Sequence, residues 1–366
     1  MTARDTTPAL GTPGEPGSYR RAFPGAAVEL ARRAWQDARW SYLFKADTDY
    51  AAEEPRPGEV AAAARRMRSG GLSDRIQGPI VKRPVWTWEI PLYFWFGGIA
   101  AGSSFVALAS DLAGDHSSAA TARKVALGAL IPCPPLLIAD LGRPARFIYM
   151  LRIMKPRSPM SMGTWCLSTF GGLDAAAVGA DLLGRPRAAR LLGAANAVVG
   201  GYLGSYTGVL LATTAVPLWA RSRLFLGPIF VATATATGAA ANRLTLSAAG
   251  VPAGHPTRRA LGYVETGAML AELLLSTINE RRLGRLASQL DDGRPGRLFK
   301  AAKGAVATGL ALSLLRRRLG VSAQHAASIL YLAAGLAFRY AWVGAGKASA
   351  ADDEATAIMA RERGSA

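Results

Sequence analysis

Glu89 and Tyr93 stand four residues apart in WTWEIPLYFWF, the stretch from Trp86 to Phe96 that opens a long apolar run. On a helix, that spacing puts the carboxylate and the phenol on one face. A phenol donates a hydrogen bond to a carbonyl, and a carboxylate takes up and releases protons. Set among Trp88, Phe94, Trp95 and Phe96, the two groups suit a flat ring with carbonyl oxygens, which is the chemistry of a quinone. An aromatic belt at headgroup level accounts for Trp86 and Trp88 equally well, but less well for Glu89 and Tyr93.

Three further groups of residues carry potential chemistry. Tyr202, Ser205, Tyr206 and Thr207 form a second polar patch inside an apolar run, although hydroxyls there also bond back to their own helix. Asp174, Arg243, Glu265, Glu272 and Arg339 lie at or near membrane depth, where ionisable groups face the protein interior. They either line a proton or ion path or pair with one another, Arg243 with Glu265 or Glu272. Finally, Asp140, Arg143, Arg146, Arg152, Lys155 and Arg157 crowd a proline-stiffened connector and offer a cationic docking surface. The usual excess of cations in cytoplasmic loops explains part of that charge.

Composition says what must hold these residues. Half of the 366 residues are hydrophobic and mean hydropathy is +0.16, despite 43 Lys and Arg and a net charge of +18. The cations sit at the ends of apolar runs rather than on one soluble face, which points to a multi-pass membrane protein and away from nucleic acid. Cys133 and Cys166 lie inside apolar segments without a CxxC partner. The three histidines offer no pair to clamp a haem. The chain therefore carries no haem, iron–sulfur or zinc ligand set of its own.

The fold class expected is all-α and integral to the membrane, with about eight spans. They fall at about Trp88–Ser110, Arg123–Leu141, Met162–Leu183, Leu191–Ala220, Leu224–Ala248, Ala260–Asn279, Phe299–Leu315 and Ala323–Val343. Pro132, Pro134 and Pro135 should kink the second, and the seventh is the weakest. Gly98 and Gly102, and Gly200, Gly204 and Gly208, mark faces where backbones can approach closely. An even number of spans puts both termini on one side, and the Lys and Arg distribution favours the cytoplasm. Residues 1–84 read as a soluble, partly disordered arm without a secretory signal; Val28–Phe44 within it could form a basic amphipathic helix. Residues 347–366 form a C-terminal tail.

Three segments together carry a resemblance. They are WTWEIPLYFWFGGIAAGS from Trp86, LLIADLGRPARFIYMLRIMKPRSPMSMGTW from Leu136 and GGYLGSYTGVLLATTAVPLW from Gly200. Over roughly Val85–Val343 the chain resembles the NrfD-like family, the polysulfide reductase-type membrane subunits of molybdenum enzyme complexes. The resemblance implies two four-helix transmembrane bundles, at 85–220 and 221–346, without haem. It implies a menaquinone or related quinone bound in the first bundle. It also implies a four-cluster ferredoxin-like iron–sulfur subunit, docked beside that site, and a molybdopterin catalytic subunit beyond it. Tyr93 falls where the family has a quinone-contacting histidine, Glu89 or Ile90 matches a polar contact one turn earlier, and Tyr206 matches a quinone-contacting tyrosine.

Tyr93 keeps a hydrogen-bond donor but loses a group titrating near neutrality, so Glu89 or Asp140 must supply proton chemistry, or quinone turnover is lost. The leading expectation is a quinone-reactive plasma-membrane subunit using Glu89, Tyr93 and Tyr206, with Asp140, Arg143, Arg146, Lys155 and Arg157 at the partner. The alternatives are a structural anchor without quinone turnover and a proton or ion translocator using Arg243, Glu265 and Glu272.

Overall fold

A computed structural model describes residues 81–141, 147–353 and 356, apart from the side chains of 316 and 317. The arm segment 28–44 and the connector residues Arg143 and Arg146 lie outside the described residues. Among the described residues the secondary structure is entirely helical. In chain order the helices are α1 Glu89–Leu112, α2 His116–Leu130, α3 Cys133–Asp140, α4 Phe147–Arg152, α5 Pro159–Leu182 and α6 Pro186–Ala212. They continue as α7 Pro217–Arg221, α8 Arg223–Ala248, α9 Pro256–Leu283, α10 Ser288–Asp291, α11 Gly293–Leu314 and α12 Arg316–Ser349.

Five stretches are long and apolar enough to cross a membrane: Glu89–Leu112, His116–Asp140, Arg223–Ala248, Pro256–Asp291 and Arg318–Ser349. The helices α5, α6 and α11 have comparable length, at 24, 27 and 22 residues, but fall short of the same apolar standard. Alanine, glycine and basic residues dilute their hydropathy.

Local chemistry sets the breaks. Pro132, Pro134 and Pro135 remove three helical N–H donors and part α2 from α3. The Cys133 thiol lies 3.7 Å from the Ala129 carbonyl in the interrupted turn. The helical unit begins at His116 rather than Arg123, because Arg123 is buried within it and need not face water. Its guanidinium donates to Asp111 at 2.6 Å and to Asp181 at 2.7 Å, tying together α1, α2 and α5. The fourth expected span ends at Ala212, not Ala220. There Thr213 and Thr214 bond back to the Leu210 and Leu211 carbonyls, and Pro217 begins the separate α7. A glycine at φ 74°, Gly320, likewise bends α12 near its start.

In lipid, packing rather than water exclusion must hold helices together. The central seam is α1 on α8, where Gly102 and Gly238 bring the two backbones into direct contact and leave no space for a side chain. Around it α1 also packs on α2 and α6, α5 on α6, α8 on α6, α9 and α12, and α11 on α12. Indole donors pin the last helix in place. Trp95 Nε1 donates to the Leu332 carbonyl at 3.0 Å, and Trp219 Nε1 to the Trp342 carbonyl at 2.9 Å.

Candidate functional site

A narrow cavity of about 60 Å³ opens where α1, α3, α4, α5 and α6 meet. From α1 come Ile90, Tyr93 and Phe94, which the helical repeat sets on one face, with Trp86 just before the helix. Leu137, Asp140 and Leu141 come from the end of α3 and just after it, Phe147 and Met150 from α4, Met160 and Thr164 from α5, and Tyr206 and Leu210 from α6. Tyr93 and Tyr206 are each 3% exposed. No hydrogen bond among the described residues involves either phenol hydroxyl, and both tyrosines line the cavity. Two donors are thus set in an apolar wall with Asp140 in the same lining.

The neighbours fix this arrangement. The Tyr206 ring lies directly over Gly163 of α5, where any side chain would collide with it. Trp86 stacks on Trp219 at 5.5 Å between centroids and meets Phe94 edge-on at 6.4 Å. The KPRSPMS segment shapes the connector into α5. Ser158 caps that helix through the Ser161 N–H, and the Ser161 hydroxyl accepts from the Lys155 N–H at 2.9 Å.

Glu89 does not line this cavity. It is the first residue of α1, accepts from the Thr87 hydroxyl, and lies on the side of α1 that faces Tyr340. There Tyr340 donates to the Trp88 carbonyl at 3.0 Å and Lys347 to the Trp86 carbonyl at 3.1 Å. Trp86 also borders a second groove of about 260 Å³, whose lining includes Trp88, Arg294, Tyr340 and Lys347.

Above the first cavity the short α4 has no buried residue. Ile148, Tyr149, Ile153 and Met154 are each more than half exposed there, interleaved with exposed Arg152, Lys155 and Arg157. The cationic connector is therefore also an apolar patch.

The ionisable residues of the remaining helices lie apart from the cavity. Arg243 of α8 pairs with Glu265 of α9, and Gln324 and Ser328 of α12 complete the group. Glu272 sits two turns further along α9, buried, without an ion pair among the described residues. Asp174 accepts from Asn196 at 3.1 Å between α5 and α6.

Residue types and spacing pointed to Tyr93 and Tyr206 but not to Phe147, Met150, Met160 or Trp219. These come from helices remote in sequence and have no periodic signature. Gly163 was the readable clue, a glycine inside an apolar helix that must admit something large.

A comparison with protein-family models matches residues 80–278, more than half of the chain, to the family described as Polysulphide reductase, NrfD. No curated protein matches the chain.

Proposed function

The chain belongs to the polysulphide reductase NrfD family, whose members are membrane subunits of oxidoreductase complexes, and from that premise we propose that it exchanges electrons with a quinone. The observation that carries this reading is the convergence of two buried, unengaged phenols and Asp140 on one apolar cavity. A menaquinone or related quinone, when bound, supplies two-electron, two-proton chemistry. Tyr93 and Tyr206 donate hydrogen bonds to its carbonyl oxygens, which costs nothing in broken internal bonds because neither hydroxyl has one among the described residues. Phe94, Trp86 and Leu210 exclude water from the ring face. Asp140 moves protons between the lining and the loop that follows α3, a role that Glu89 cannot fill from outside the cavity. At about 60 Å³ the space is small for a ring, and Met150 and Met160 are the flexible wall that yields to admit it.

Electrons pass between this site and a partner chain. The exposed patch of α4, with Arg152, Lys155 and Arg157 beside Ile148, Ile153 and Met154, is the contact for an iron–sulfur subunit that leads to a molybdopterin enzyme. In this reading α5, α6 and α11 also cross the bilayer, making eight spans in two bundles with both termini cytoplasmic.

Binding of a menaquinone analogue and quinol oxidation by the purified complex test the site. Tyr93→Phe and Tyr206→Phe should each weaken binding on the order of tenfold, the worth of one lost hydrogen bond. Glu89→Gln should change it little. Unaltered binding and turnover in both tyrosine variants would refute the assignment.

A further inference from the structure

Helix α9 is built inside out. Its buried face recurs at three- and four-residue steps through Arg258, Leu261, Glu265, Met269, Glu272, Ser276 and Asn279. Its outer face carries exposed Tyr263, Val264, Leu270, Leu274 and Ile278. Arg258, Glu265, Glu272 and Asn279 follow one another at intervals of seven. At 1.5 Å per residue this polar stripe covers about 30 Å, the depth of a bilayer's hydrocarbon core.

Neighbouring helices extend the stripe from both ends. On one side His325 Nε2 lies 3.0 Å from both the Ser247 hydroxyl and the Arg258 guanidinium. Next along, Arg243 joins Gln324 at 2.6 Å and pairs with Glu265, whose other oxygen accepts from Ser328 at 2.8 Å. From the opposite end Lys303 donates to Glu280 at 2.5 Å, and Ser276 donates to Glu280 at 3.3 Å. A cavity of about 10 Å³ then reaches Glu272, with Thr233, Ser276 and Lys303 in its wall. That is close to the room one water needs. The two approaches stop short of each other. Glu265 and Glu272 are about 10 Å apart along the axis, and Met269 fills the buried face between them.

Arg339 stands beside this gap. It is buried, lies 3.6 Å from the centre of the Phe230 ring and donates through Nη2 to the Phe230 carbonyl at 3.2 Å. Its Nη1 is buried without a partner. Arg339 and Glu272 lie within electrostatic reach of each other, and Lys303 also faces Glu272. No direct bond joins the carboxylate to either cation among the described residues, so two ionisable groups at membrane depth are left incompletely engaged.

We propose that this stripe is a proton conduit made of two half-paths that meet at Met269. A proton taken up by the Glu280 carboxylate passes through the Ser276 hydroxyl and the adjoining cavity to the Glu272 carboxylate. Rotation of Met269 admits water to the gap, over which the proton continues to Glu265, and it leaves past Gln324 and the His325 ring. The fixed charge of Arg339 and the one-water width exclude hydrated metal cations. The conduit stands independently of the quinone site, since no residue is shared between them.

The test uses the full chain in liposomes, a potassium diffusion potential and an internal pH dye, with no quinone present. Wild-type protein should carry proton flux well above empty liposomes, while a sodium gradient alone moves no charge. Glu272→Gln and Glu265→Gln should each lower the flux on the order of tenfold, with elution and melting unchanged. Met269→Ser, which replaces the apolar barrier with a hydroxyl, should raise it. Wild-type flux equal to that of empty liposomes, or normal flux in both folded glutamine variants, overturns the proposal. If the glutamine variants do not fold, an unchanged flux in Met269→Ser overturns it.

Discussion

Asp115 shows at the level of single residues how the polar turns between spans are held. It caps α2 through the Ser118 N–H and accepts from the Thr257 hydroxyl of α9 at 2.5 Å, with His255 at 3.8 Å. Burial pushes its carboxyl upward, but the bonds from Ser118 and Thr257 and the nearby histidine outweigh this and hold it below the usual carboxylate range. The lowered folded-state value means that its contribution is complete above the unfolded value near ~3.9 and is lost as pH falls through the folded one. Asn caps as well as Asp, so Asp115→Asn removes only the charge and should lower stability by about 0.5 kcal/mol at neutral pH, and the difference from wild type should shrink toward pH 3 in thermal melts. Parallel melting curves at every pH would remove this role. Such partnerships were only half legible in the sequence. It gave Arg243 two equivalent acidic candidates, and the choice of Glu265 depends on where Gln324 and Ser328 arrive from α12. Four-residue spacing set Glu89 and Tyr93 together, yet Glu89 belongs to a first turn that is tied to Thr87 and faces Tyr340.

Between elements, contact is governed by what is missing as much as by what is present. Gly163 gives up its side chain to the Tyr206 ring. Gly163→Ala improves α5 as a helix by about 1 kcal/mol yet forces that ring to move. It should lower quinone-analogue affinity at least as much as Tyr206→Phe while leaving the protein folded, and equal affinity would show that the ring's position is unimportant. The Arg123 clamp works in the opposite sense. Both of its carboxylates stay behind when it is removed, so Arg123→Met should cost about 3–5 kcal/mol, read as a lower melting temperature in detergent. A shift within error would mean the three helices hold without it. Helix ends were well marked in the sequence, by Gly114 and Gly184 at positive φ and by Pro186 and Pro256 in first turns. Burial of Arg123 was not, because a charge inside an apolar run reads as the run's end until its partners are known.

Across the whole molecule, the family-matched segment 80–278 contains the full lining of the tyrosine cavity, while the α9 stripe draws partners both from α8 within it and from α11 and α12 beyond it. Membrane character and helical class were written plainly in the composition. The number of crossing helices was harder to read, because α5, α6 and α11 trade large apolar residues for small ones that let backbones pack. The inverted surface of α9 also bears on how the chain enters a bilayer. Two glutamates near the centre of a lone helix cost about 5–7 kcal/mol on insertion scales, and the single Arg243 costs α8 about half as much. Joined by the short turn after Ala248, the two helices can bring Arg243 and Glu265 in already matched. Helices α8 and α9 should therefore insert as one hairpin, and neither should be retained in the bilayer when the turn between them is cut.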